Sequence, residues 1–211
     1  MAKYITTSVN TNETQVYTED HLIDMVKLRM DEIDQNVKPI VDVGVIDNKP
    51  ISDIIGGLLN ESRLDVLKMA TADKLPKVKT TVALNEGTNI FNVSDDTLKV
   101  LSVGATDWKR NVTSASEIGS KEHKRQMYEY TKSTIKNPVV VFLDGTSYEV
   151  YPTPSDNAVS LITISSLTQY EDFTEDMINA ICWDCAGKTF LAMGMADNAS
   201  KALEVYSLII K

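Results

Sequence analysis

The sequence predicts an α+β fold: a four-helix body formed by the N- and C-terminal helices, with an inserted, mainly antiparallel β region. Apolar residues recur at helical spacing near both ends of the chain and with period two between them. No amphipathic helix separates the central strands, which argues against parallel crossovers and for antiparallel pairing. Charge divides the chain at the same places. Residues 1–76 carry 13 acids and 8 bases, residues 77–170 carry 10 and 10, and residues 171–211 carry 7 and 3. The helical body is therefore assigned to 1–76 and 171–211, and the inserted β domain to 77–170.

Thr18 suits the N-cap of the first helix, with Glu19 and Asp20 at the positive end of its dipole. Leu22, Met25, Val26, Met30 and Ile33 form its apolar stripe, interrupted by Arg29, and the helix is expected to reach about Gln35, before Pro39. A second helix starts near Pro50 to Asp53, where proline is tolerated in the first turn. Its stripe is Ile55, Leu58, Leu59, Ser62, Val66 and Ala70, and Pro76 lies beyond its end. Gly56-Gly57 falls inside this helix at a cost of about 1 kcal/mol per glycine relative to alanine, which points to close helix contact or an early break. No phosphate-loop pattern accompanies the pair.

From Lys77 the alternation of Val78, Thr80, Val82 and Leu84 predicts a strand, followed by a turn at Glu86-Gly87-Thr88-Asn89. Ile90 to Val93 and Leu98 to Val103 are further strands. Val139 to Leu143, Asp144-Gly145, and Tyr148 to Tyr151 read as a β-hairpin. Pro152 and Pro154 end that ribbon, and Val159 to Ile164 supplies another strand. At Thr174 an N-cap with Glu175 and Asp176 opens a helix that should run to about Met193, with a stop at Gly194. Asp197 or Asn198 is expected to cap a last helix carrying Ala202, Leu203, Tyr206, Ile209 and Ile210.

Composition narrows the function. The chain of 211 residues has a net charge of −9, so it is a poor whole-surface binder of nucleic acid. Its apolar content of 43% is too high for a disordered chain. It has no apolar run long enough for a membrane-spanning helix and no apolar signal core in residues 1–10, so a cytoplasmic location without membrane contact is expected.

Chemical motifs are few. Cys182-Trp183-Asp184-Cys185 lies mid-helix, away from the helix N-terminus that would activate a thiol, and reads as two small buried residues. His21 and His123 have no metal-ligand spacing with each other or with the cysteines. The carboxylate pairs Glu19-Asp20, Asp95-Asp96 and Glu171-Asp172 sit at turns or helix starts, where acids serve as caps. No nucleophile elbow is present. Asn-x-Ser/Thr matches at Asn92 and Asn111 carry little weight without secretion. No enzyme, cofactor or metal site is expected.

One segment departs from the acidic background. Within 109–136, Lys109, Arg110, Lys121, Lys124, Arg125, Lys132 and Lys136 face Glu117, Glu122 and Glu129, a local balance of +4. Its Ser, Thr and Gly content predicts a long mobile loop. It reads either as a solvated loop or as an arm that docks on an acidic neighbour, such as another copy of the chain, with Tyr128 and Tyr130 as aromatic anchors. Direct DNA contact is the less favoured reading.

The element order, the run Tyr148-Glu149-Val150-Tyr151-Pro152-Thr153-Pro154 ahead of an apolar strand at Val159 to Leu167, and a closing helix after Ala196-Asp197-Asn198-Ala199 that carries Ala202 and Tyr206 resemble the head-to-tail adaptor proteins of short-tailed bacteriophages. These are the ring proteins, or tail tubular A-type connectors, that lie beneath the portal. The spacing and the low Cys and His content also fit ring proteins of Bacteroides-infecting (crAss-like) phages. The resemblance spans nearly the whole chain in layout, through short and degenerate motifs. It implies a structural virion protein in the neck or tail, assembled in the host cytoplasm as a homo-oligomeric ring, usually of twelve copies. Its partners would be the portal on one side and the tail or a second ring on the other, with DNA passing through the lumen without specific binding. No catalytic residue is implied. Another phage neck or tail-completion protein, or a small cytoplasmic enzyme or binding module, are the alternatives.

Overall fold

Thr18 sits immediately before helix α1 (Glu19–Ile33), and its hydroxyl accepts a hydrogen bond from the His21 backbone N–H at 3.3 Å. Leu22, Val26 and Met30 are its buried residues, on one face as their spacing requires. The computed structural model describes residues 17–33, 45–46 and 49–211. The expected extension of α1 to Gln35 lies outside those residues. A short antiparallel pair, β1 (Val45–Ile46) with β2 (Lys49–Pro50), leads into helix α2 (Ile51–Met69). Most of the predicted α2 stripe is the buried one: Ile55, Leu59, Ser62, Val66 and Ala70 lie in the core, while Leu58 is only half-buried against it.

The last two helices are α4 (Glu175–Ala192) and α5 (Ala196–Ile209). Thr174 is the N-cap of α4, but its side chain makes no capping bond; its backbone carbonyl accepts from Met177 and Ile178 N–H instead. Gly194, at φ +74°, reverses the chain after α4. Its N–H donates to the Leu191 carbonyl and the Met195 N–H to the Phe190 carbonyl, the paired bonds of a Schellman ending. This tight turn brings the start of α5 forward to Ala196. Asp197 and Asn198 therefore lie inside its first turn, and Met195 takes the cap position expected for one of them.

Helices α1, α2 and α5 all pack on α4, so α4 is the central helix of the body. It is buried on almost every face between Met177 and Phe190. Gly187 lets α5 approach closely: a Cβ there would stand 2.8 Å from Leu203 Cγ and Cδ2. Gly56 serves the α1–α2 contact in the same way, with Glu19 Oε1 at 3.1 Å from its would-be Cβ, while Gly57 faces open space. Arg29, the interruption in the α1 stripe, is accommodated by α4. Its Nε donates to Asn179 Oδ1 at 3.0 Å and its guanidinium lies 5.7 Å from the centre of the Trp183 ring.

Between the helix pairs lie two sheets. One has the order β3 (Val78–Ala83), β9 (Ala158–Ser165), β5 (Thr97–Gly104), with both pairings antiparallel. The other has the order β4 (Ile90–Asn92), β8 (Ser147–Tyr151), β7 (Val139–Asp144), β6 (Ser116–Glu117). Only β6 with β7 is parallel. Phe91, Val140 and Val150 of the second sheet meet Val103, Val159 and Leu161 of the first in one apolar cluster. The first sheet also turns Ile164, Leu98 and Leu101 toward the helical core. The layers therefore run helical body, three-stranded sheet, four-stranded sheet. Leu98 and Leu101 share a face although three residues apart, because β5 carries two register shifts.

The β7–β8 hairpin forms where turn chemistry places it, with its two-residue loop one position later than Asp144-Gly145. Asp144 pairs with Ser147, leaving Gly145-Thr146 at the tip. Gly145 alone has positive φ there (+47°), the pattern of a type II′ turn. The other expected turn, around Gly87 (φ +70°), does not join a paired hairpin, since β3 and β4 belong to different sheets.

Candidate functional site

The segment 109–136 is built differently from the bare loop its composition suggests. It contains β6, the short helix α3 (Lys121–Arg125) and a 3₁₀ turn at Glu129–Thr131. Its two ends are tied together, because the Lys109 N–H donates to the Ile135 carbonyl at 2.7 Å. Val112 and Val103 exchange backbone hydrogen bonds at 2.8 Å each. Gly104 makes room for this: a Cβ at that position would fall 2.4 Å from Asn111 Oδ1.

Gln126 and His123 hold the segment to the sheet. Gln126 is buried; its Nε2 donates to the Glu122 carbonyl at 2.8 Å and its Oε1 accepts from Ser133 N–H at 2.9 Å, so it clasps α3 to the chain beyond the 3₁₀ turn. His123 Nδ1 accepts from Gly119 N–H at 2.8 Å, which leaves its Nε2 facing Glu149 Oε2 of β8 at 3.6 Å. Helix α3 packs on β6 and β7, and Val141 of β7 is fully buried although it points away from the inter-sheet cluster. The segment thus covers the outer face of the four-stranded sheet, on the side opposite the helical body.

The predicted interaction residues are all at the surface of this cover. Lys109, Arg110, Lys121, Lys124 and Arg125 are exposed, as are Lys132 and Lys136. Among the described residues, none of these seven cations lies within 4.0 Å of a carboxylate. Tyr130 is 100% exposed, Met127 72%, Tyr128 67% and Ile118 60%. Composition alone flagged the charges and the tyrosines; it missed Ile118 and Met127, whose exposure depends on which face of each short element is anchored.

Several cations at or beside the helical core behave in the opposite way. Lys188 is the hub of a partly buried cluster, with its Nζ 2.5 Å from Asp65 Oδ2, 2.9 Å from Asp184 Oδ2 and 3.2 Å from the exposed Glu61 Oε1. Burial opposes its charge, but the bonds to Asp65 and Asp184 prevail and hold its pKa above that of an ordinary lysine. Arg63 donates from Nη1 to the Ser166 and Thr168 carbonyls at 2.8 and 2.6 Å, tying α2 to the chain that leaves β9. Lys99 Nζ reaches the Ala70 carbonyl at 3.3 Å, and Lys74 Nζ the Ile209 carbonyl at 2.7 Å. These cations satisfy carboxylates, helix-end carbonyls and, through Arg63, carbonyls of the chain leaving β9.

Cys182 and Cys185 are buried and free, as the mid-helix reading anticipates. Burial pushes each thiol up to about 12, which keeps both protonated and unreactive near neutral pH. The carboxylate pairs act locally: Asp96 Oδ2 accepts from the Ser94 hydroxyl and Asp172 Oδ2 from the Gln169 N–H. His21 and His123 lie on separate elements, α1 and α3. Among the described residues, no group of three or more His, Cys, Asp or Glu is arranged to hold a metal ion. None of the described helices is long and apolar enough to cross a membrane. In comparisons with known proteins, no family model matches this chain and no curated protein matches it significantly.

Proposed function

We propose that the chain is a structural subunit of a virion: an adaptor that assembles into a ring between the portal and the tail of a short-tailed phage, extends the DNA channel and supports DNA ejection. The layout resemblance suggests the class. The observation that carries the reading is the polarity of the fold. Its helical body is acidic, and the far face of its outer sheet presents exposed cations, in no ion pair among the described residues, beside exposed Tyr128 and Tyr130. Two unlike surfaces on one subunit suit a heterologous contact, which closes into a ring when its rotation allows. An acidic body also suits a channel wall, because it does not retain phosphates as DNA slides past.

The test is assembly with the portal protein of the same phage. On mixing the two proteins, native mass measurement and electron microscopy are expected to show a ring of about twelve copies bound to the portal, weakening as salt screens the charged contacts. A species that stays monomeric and ignores the portal at every salt concentration overturns the reading. Association with tail components alone would make it a tail-completion protein instead.

A further inference from the structure

Among the described residues, the seven cations of the 109–136 cover are in no ion pair, and its aromatic and apolar side chains Tyr128, Tyr130, Met127 and Ile118 are exposed. The subunit's own acidic helices cannot supply partners for them, because two sheets lie between the cover and the helical body. Among the described residues, then, a complementary surface is offered only by another molecule. The exposed side of α1 has the matching character. Asp20, Asp24, Leu28 and Glu32 are all exposed and fall at i, i+4, i+8 and i+12, one row about 18 Å long. Leu28, 54% exposed, interrupts the acids. One member is already engaged, since Arg29 pairs with Glu32 while its Nε is held by Asn179; among the described residues Asp20 and Asp24 are in no ion pair, so they carry the available charge of the row. The other helices fit less well. On α5 the exposed side includes Lys201, and on α2 it includes Lys68, with Glu61 already paired to Lys188.

We infer that the cationic and aromatic cover of one subunit docks on the Asp20–Asp24–Leu28–Glu32 row of α1 in a second copy of this chain. Lys121, Lys124 and Arg125 of α3 face the carboxylates, and Tyr128 and Tyr130 cover Leu28. The contact is heterologous, since the two surfaces lie on different layers of the fold, and it repeats from copy to copy. This inference rests on the proposed self-assembly and names the surfaces that perform it.

Cysteine pairing tests it on the full chain, because Cys182 and Cys185 are buried and leave the surface without a native thiol. Tyr130→Cys and Leu28→Cys are made as separate variants, both at exposed positions, and treated with a short bismaleimide. The expected result is a covalent dimer in the mixture of the two and in neither variant alone, with a ladder of multimers from the double variant. Asp20→Lys/Asp24→Lys is expected to cut the mixed adduct by about tenfold or more, and Lys121→Glu/Lys124→Glu on the other partner to restore it. A dimer from Tyr130→Cys alone, or charge reversal without effect, overturns the inference. Assembly that proceeds with no mixed adduct overturns it while leaving the ring reading intact. Absence of any assembly, with or without portal, overturns both.

Discussion

A methyl group added at Gly57 meets nothing within 4 Å, whereas one added at Gly187 lands 2.8 Å from Leu203 Cγ and Cδ2. Both glycines are inside helices, so both replacements gain the same intrinsic helix preference. Gly57→Ala is expected to raise stability by about 0.5–1 kcal/mol. Gly187→Ala is expected to lower it by roughly 1–2 kcal/mol, because overpacking at the α4–α5 contact exceeds the propensity gain. Urea midpoints of the two variants check this, and shifts of the same sign would contradict the packing account. The Gly-Gly pair in α2 was visible in the sequence as a helix anomaly. Gly187 was not, since nothing around it in the chain reveals that Leu203 crosses there.

At the scale of elements, the cover of the outer sheet depends on a few polar side chains. Gln126 bonds both to the Glu122 carbonyl and to the Ser133 N–H, on either side of the 3₁₀ turn. Gln126→Ala is expected to remove about 1–2 kcal/mol of local stability. Amide exchange across 127–136 should then accelerate by about five- to thirtyfold, while the core of α4 keeps its protection. Uniform acceleration across the whole chain would show that the cover and the body open together. The same anchoring changes how the segment can be dissected. Removing 112–130 would take away β6 and the His123–Glu149 contact and uncover Val141, so point variants at Tyr128 or Tyr130 are the cleaner probes of assembly. Helix and strand positions could be read from period and punctuation. The build of 109–136 could not, because two-residue strands and a five-residue helix are too short to show a period.

Across the whole molecule, the single helical core sets how stability depends on pH. Cys182 and Cys185 titrate at about 12 in the folded protein, against an ordinary value of 9.0, because burial disfavours the thiolate. The unfolded chain therefore loses these protons first, and stability falls as pH rises from about 9 to 12, by up to about 1.4 kcal/mol per pH unit for each thiol. Tyr206 and Tyr151, also pushed up to about 12 chiefly by burial, add to the decline above pH 10. The contribution of Lys188 has the opposite charge logic and the same direction. It is complete below the pKa of an ordinary lysine and lost only as pH rises through its higher folded value. The folding free energy should be flat between about pH 7 and 8.5 and then decline, and Cys182→Ala/Cys185→Ala should flatten the part between about pH 9 and 10. A decline that persists unchanged in that double variant would place its cause elsewhere.

By itself the sequence determined the α+β class, the division into helical ends and a β insertion, the buried stripes of α1, α2 and α5, and the location of the one basic segment. These follow from local period, capping residues and charge counts, which act within a few turns of the chain. Only the tertiary structure decided that α4 is the central helix, that β3, β4 and β5 do not pair with one another but are divided between two sheets, and that the basic segment faces away from the acidic body. Those outcomes depend on contacts between residues far apart in sequence, such as Arg63 with Ser166 and Lys188 with Asp65. The same residue type shows the difference: lysine on 109–136 stays exposed at the surface, while Lys188 is enclosed by carboxylates. No local pattern separates the two, because the partners of Lys188 on α2 are brought to it only by the packing of the helices.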